Sequence, residues 1–285
     1  MAVTQPLARR EKRRAARAAR GSGVARKLSR LHRPEEMSLE AWQRALRRQF
    51  GREQKFLLKR SAGDHPVASE FEVTNPLTRN RYRVVIRGSE PGNNFCSCPD
   101  FATNTLGTCK HVEFTLARLE RKPGMRKALA RGVEPPFSEV YLHYGARREV
   151  RFRPRADATA ELTRLAARYF GADGTLRPDA FAHFEVFLPA AARLAPDLRC
   201  YEDALGFVAQ VRDAERRERA LVEAFPRDIR SAGFKDLLRV SLYDYQREAA
   251  LFASRAGRSI IGDDMGLGKT IEAIAAVEVL RRQTG

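Results

Sequence analysis

The sequence predicts an α+β chain of more than one domain, and three observations carry that prediction. Two runs, Glu70-Phe71-Glu72-Val73 and Arg81-Tyr82-Arg83-Val84-Val85-Ile86, alternate apolar and polar residues about a turn-rich segment, as an antiparallel hairpin does. Four metal-type donors, Cys96, Cys98, Cys109 and His111, follow within one short stretch. Further on, the apolar run Ser259-Ile260-Ile261-Gly262, a glycine turn and the amphipathic run from Ile271 to Leu280 read as strand, turn and helix.

Composition bounds the rest. A chain of 285 residues suits about two domains, and an apolar fraction of 43% allows sizeable cores. The net charge of +18 favours a polyanionic partner, most simply nucleic acid. The longest apolar segment, Ile271 to Leu280, is too short to span a membrane and carries glutamates. With no signal-peptide core after the start, the expectation is a soluble, cytoplasmic protein (nucleoid-associated in a prokaryote) with no membrane partner. Three of the four cysteines cluster and Cys200 stands apart, which suits metal rather than disulfides in a reducing compartment.

Residues 1–34 read as a basic, disordered arm, with Arg9-Arg10-Glu11-Lys12-Arg13-Arg14 at its centre and too little apolar bulk for a core. A domain over 35–124 follows. Ser38 is the expected N-cap of a helix from Leu39 to Phe50, with Leu39, Trp42, Leu46 and Phe50 on one face and Gly51 as its stop. Trp42 reads as a core or docking residue. A first strand is expected over Lys55 to Lys59. In the hairpin, Phe71, Val73, Tyr82, Val84 and Ile86 face inward, and Arg81, Arg83 and Arg87 share the outer face.

Cys96 and Cys98, two apart on extended chain, point to one side. A turn through Asn104-Thr105-Leu106-Gly107 returns the chain, so that Cys109 precedes a helix and His111 lies in its first turn. Val112, Leu116 and Leu119 then face the sheet. Three thiolates and an imidazole fill a tetrahedral Zn²⁺ shell with no open position, which makes the site structural. The Cys-x-Cys, Cys-x-His pattern after a hairpin resembles the SWIM zinc finger over Phe71 to Leu119, with every ligand position occupied. The resemblance implies a nucleic-acid or protein interaction module and leaves that choice open.

Residues 125–235 form a mixed α/β middle region. Lys127 to Pro136 reads as a linker, and Val140 to Tyr144 with Glu149 to Arg153 as a second hairpin. A helix is expected over Ala158 to Phe170 with Asp157 as N-cap, ended by Gly171-Ala172-Asp173-Gly174. Phe181 to Leu194 and Asp203 to Phe225 are further helices, the latter burying Leu205, Val208, Val211 and Leu221. The charge run Arg212 to Arg219 reads as a solvated face, and Cys200, His143 and His183 as packing or surface residues. No Ser/His/Asp or Cys/His nucleophile arrangement is present.

The last segment, 236–285, carries Asp263-Asp264-Met265-Gly266-Leu267-Gly268-Lys269-Thr270. Gly266 and Gly268 would bring backbone N–H groups to a triphosphate at a helix N-terminus. Lys269 would reach the β/γ-phosphates and Thr270 would hold Mg²⁺. With Leu242-Tyr243-Asp244-Tyr245-Gln246-Arg247-Glu248 upstream, the segment resembles the Q motif and motif I of the SWI/SNF family, ATP-driven DNA translocases of helicase superfamily II. That family's motif I lacks the usual first P-loop glycine, here Asp263. Asp264 stands where Glu is usual, and Gly262 where Ala is common.

The resemblance implies the beginning of a RecA-like α/β P-loop lobe that binds ATP with Mg²⁺ through Gln246 and residues 263–270, and a double-stranded DNA partner. The Asp-Glu box, second lobe and arginine fingers are not in the sequence. The expectation is therefore the N-terminal part of a helicase-type ATP hydrolase, not hydrolytically competent by itself. The alternative is a stand-alone zinc-stabilised nucleic-acid or protein binding module with a vestigial ATPase tail.

Overall fold

The computed structural model describes residues 27–63 and 65–284, so most of the predicted basic arm lies outside the described residues. The expected disorder does not extend through residue 34. Leu28 N donates to Gln49 Oε1 at 2.7 Å, and Trp42 Nε1 donates to the carbonyl of Ser29 at 3.1 Å, which ties this stretch to the first helix.

The chain divides into two compact units. One takes the described residues up to Val133 together with Tyr144–Arg147; the other takes Glu134–His143 and the residues from Arg148 on. The first is built from α1 (Leu39–Glu53), β1 (Leu57–Ala62), β2 (Ser69–Thr74), β3 (Arg81–Ile86), β4 (Phe95–Cys96), α2 (Pro99–Thr103), α3 (Lys110–Glu120) and α4 (Met125–Arg131). Its sheet runs β1-β2-β3-β4, antiparallel throughout. Phe71 pairs with Val84 and Val73 with Tyr82 in register. That register turns Phe71, Val73, Val84 and Ile86 into the core, as the alternation predicts.

Ser38 caps α1, its Oγ accepting from Ala41 N at 3.1 Å. Gly51 is not the stop: it lies inside the helix, buried against α3. Arg87 departs from the outer face. It is buried, with Nη1 donating to the carbonyl of Asn93 at 2.9 Å and its backbone N–H donating to Asn94 Oδ1 at 2.7 Å. Alternation fails there because β3 has already ended at Ile86. The expected linker, Lys127 to Pro136, begins inside α4, whose Met125 and Leu129 are buried.

The second unit holds β5 (Glu139–His143), β6 (Glu149–Arg153), α5 (Ala160–Ala167), a 3₁₀ turn Pro178–His183, α6 (Phe184–Leu194), β7 (Arg199–Cys200), α7 (Glu202–Ala224), α8 (Asp244–Ala256) and α9 (Lys269–Thr284). β5 sits between antiparallel β6 and parallel β7. Phe187 packs its ring 5.1 Å from Phe170 and 5.9 Å from Phe184. A second core joins Leu221 and Phe225 to Phe234, Leu251 and Val279, where α7, α8 and α9 meet.

The N-cap of α5 is Thr159, whose Oγ1 accepts from Leu162 N at 3.2 Å, rather than Asp157, which pairs with Arg155. Leu205 faces solvent, and Ala204 takes the core position beside it. The expected strand over Ser259 to Gly262 does not form. No described strand offers these residues a ladder, and Ile260 is 92% exposed. Among the described residues no helix is long and apolar enough to cross a membrane.

Candidate metal centre and glycine loop

β4 ends on Cys96, held opposite Val84, and Ser97 N donates to the carbonyl of Arg83 at 3.0 Å. Cys98 is the extended N-cap of α2, with Pro99 opening the helix behind it and Phe101 N donating to its Sγ at 3.4 Å. Cys109 is the N-cap of α3 but makes no side-chain cap bond, so its sulfur is left to turn inward. His111 follows in the first turn, buried between the rings of Phe56 and Tyr82 at 5.2 and 4.5 Å.

These elements bring Cys96, Cys98, Cys109 and His111 together, all buried, with their ligand atoms within 4.8 Å of one another. Cys96 Sγ and Cys109 Sγ lie 3.7 and 3.9 Å from His111 Nδ1. A tetrahedral zinc with bonds of about 2.0–2.3 Å needs donor–donor edges of roughly 3.5–3.8 Å. The four residues could therefore hold a metal ion such as zinc once their widest spacings close, with Nδ1 the ring nitrogen that faces the thiols.

Crowding splits the thiols. Contacts with Cys109 and Cys96 push Cys98 far below the ordinary thiol range. Contacts with Cys109 and Cys98 push Cys96 up, and burial pushes Cys109 up. A bound dication favours the thiolate form of all three.

A polar surround fixes the ligand-bearing turns. Thr108 Oγ1 donates to Glu113 Oε1 at 2.9 Å, and Arg48 reaches Oε2 of the same buried carboxylate at 3.3 Å. Arg47 grips Asp100 with two bonds, 3.2 and 2.7 Å, and so ties α1 to α2. Gly107, at φ +68°, leaves no room for a side chain: a Cβ there would stand 2.3 Å from the carbonyl oxygen of Tyr144. Cys200 is separate from the cluster, half-buried, its thiol pushed up to about 12 by burial.

The second unit brings the two separated C-terminal segments together. Gln246 is buried on α8; its Oε1 accepts from Tyr243 N at 3.1 Å and its Nε2 donates to the carbonyl of Leu267 at 3.1 Å. Tyr245 donates to the same carbonyl at 2.9 Å. Gly266 and Gly268 take φ +89° and +85°, the left-handed region that favours glycine. A Cβ on Gly268 would meet Gln246 Nε2 at 2.8 Å. Lys269 opens α9 and folds back, Nζ donating to the carbonyls of Asp263 and Asp264 at 2.8 and 3.0 Å. Met265 is 95% exposed at the loop tip, and Thr270 is exposed as the second residue of α9.

Several participants carry no sequence signal of their role. Tyr82 reads only as an inward apolar residue and Phe56 only as part of an expected strand, yet both rings pack against the histidine of the cluster. Glu272 is fully buried, with no hydrogen-bond donor on either carboxylate oxygen. Burial, then the facing carboxyl of Asp263, raise its pKa, and Lys269 opposes them. Its place three residues after Lys269, on the inner face of α9, is the one clue the sequence offers.

Compared with known proteins, the chain matches no family model, no curated protein and no solved structure.

Proposed function

We propose that the chain carries elements of a SWI/SNF-type ATP-dependent DNA translocase, a zinc finger that recruits substrate and a loop that binds nucleotide. The observation that carries this reading is the bond between Gln246 and the carbonyl of Leu267. The upstream glutamine and the glycine loop are remote in sequence, and an ATP site of this type needs them side by side. Exposed loop backbone between two left-handed glycines, opening a helix with a lysine at its first position, suits an anionic phosphate. In this reading Lys269 exchanges its two carbonyl partners for the β/γ-phosphates, Thr270 holds Mg²⁺, and residues 263–268 wrap the triphosphate. The zinc-type cluster is closed and structural, so the first unit presents surface rather than chemistry.

The test is Lys269→Ala in the complete gene product. DNA-stimulated ATP hydrolysis is lost while zinc content stays at the wild-type value. Normal hydrolysis in that variant refutes the loop assignment. One observation favours a second reading, a zinc-stabilised nucleic-acid or protein binding module: residues 259–262 form no strand beside the loop. In that case purified chain binds its partner with an affinity indifferent to ATP.

A further inference from the structure

The second unit contains a cleft that neither the metal centre nor the glycine loop uses. Gly206, Ala209, Gln210, Asp213 and Arg217 line one stripe of α7, at helical spacing. Opposite them lie Ala256, Gly257 and Arg258, where α8 ends. The space between is about 470 Å³ and opens to solvent.

Its floor is made of small residues and its charge comes from two arginines. The Arg217 guanidinium lies flat over Gly257: its Nη2, Cζ and Nε stand 3.0, 3.1 and 3.4 Å from where a Cβ on that glycine would be. Gly257 sits at φ +68°, so a bare residue serves both the turn and this approach. The Nε–H of Arg217 is shielded from water and has no acceptor.

Neighbouring arginines differ in this respect. Arg212 pairs with Glu185, Arg216 reaches Asp213 at 3.9 Å, and Arg255 reaches Glu218 and Asp228 at 3.4 and 3.3 Å. Among the described residues neither Arg217 nor Arg258 lies within ion-pair distance of a carboxylate. Asp213, the one acid in the lining, already faces Arg216. The C-terminal end of α8 disfavours an anion here, so the second guanidinium decides the sign.

We infer that Arg217 and Arg258 form an anion site that takes a phosphodiester of nucleic acid. A guanidinium with no carboxylate partner is a donor set suited to phosphate oxygens, and the open cleft admits a polymer backbone. Arg258 directly precedes the segment that leads into the loop at residues 263–270, so a phosphate held here anchors the approach to the loop. This inference rests on the nucleic-acid partner proposed above.

The experiment measures binding of a labelled DNA duplex to the full chain across a sodium chloride series, for wild type, Arg217→Ala, Arg258→Ala and the double variant. Each single substitution should lower affinity about 3–10-fold at low salt and flatten the log–log salt slope by about one. Zinc content and melting temperature serve as folding controls. Arg217→Lys keeps the charge and should keep the slope. Unchanged slopes in a wild-type background that binds duplex overturn this site alone. No duplex binding by wild type overturns both it and the recruitment reading. If inorganic phosphate raises the melting temperature of wild type but not of Arg217→Ala, while duplex binding is unaffected, the cleft takes free phosphate and the nucleic-acid assignment fails.

Discussion

The carbonyl oxygen of Lys110 stands 2.8 Å from the point that a Cβ on Gly51 would occupy. Glu113 Cβ and Phe114 N lie 2.9 Å from the same point. α1 and α3 therefore meet backbone to backbone at the residue where the chain enters the metal-bearing helix. Gly51→Ala gains about 1 kcal/mol of helix propensity but must push apart main-chain atoms that have no rotamer to yield. The clash wins, with a net loss of about 1–3 kcal/mol. Urea denaturation of metal-loaded chain checks this; equal or greater stability in the alanine variant contradicts the close approach.

Metal removal should act on the first unit selectively. One equivalent of zinc per chain is expected, and a strong chelator should abolish the near-ultraviolet signal of Tyr82 while leaving most helical signal from the second unit. His111→Ala removes both a ligand and the ring between Phe56 and Tyr82, and it should purify without zinc. Cys200→Ser should retain the full equivalent, since Cys200 lies outside the cluster. Elemental analysis decides: zinc retained in His111→Ala, or lost in Cys200→Ser, contradicts the ligand set.

Glu272→Gln should stabilise the protein. The native carboxylate is buried without a donor and faces a second carboxyl, that of Asp263. An amide of the same shape supplies an N–H to that contact, worth about 1.5–3 kcal/mol for a bond to a charged group. A higher melting temperature at neutral pH is the expected result. A lower one would mean that the Glu272 charge is needed to hold Lys269.

His65 provides a pH dependence of predictable sign. Its Nδ1 accepts from the N–H groups of Val67 and Ala68 at 3.2 and 2.8 Å, and only the neutral ring can do so. Burial, then the charge of Arg60, lower its pKa below the usual 6.5. A depressed folded-state pKa means the stabilisation is complete above the unfolded value and is lost as pH falls through the folded one. His65→Ala should thus be about 1 kcal/mol less stable than wild type at pH 8 and nearly equal at pH 5. A gap that stays constant between the two would show that the imidazole does not titrate with folding.

What could be read from sequence was what short range decides. The hairpin register followed from alternation, and the four donors from a spacing that only extended chain followed by a helix start can close. Gly51 looked like a helix stop because glycine usually is one, and only α3, remote in sequence, gives it another reason. Arg87 looked outward because the pattern was carried one residue past the end of β3, where Asn93 and Asn94 draw it in. Ser259 to Gly262 has the composition of a strand, but strand formation belongs to a pair of segments and no described segment supplies the partner. Asp157 and Thr159 are both good caps, and Arg155 decides between them by occupying the aspartate.

The first and last zinc-type ligands, Cys96 and His111, are 15 residues apart. Closing so short a loop costs little chain entropy, and Phe56, Tyr82 and the Gly51 contact precede or overlap it, while Tyr144, against which Gly107 packs, follows soon after. During synthesis the cluster is complete once α3 has left the ribosome, before the residues of α8 and α9 have been translated. A metal ion bound at that moment would act on the first unit alone, before the helices of the second exist.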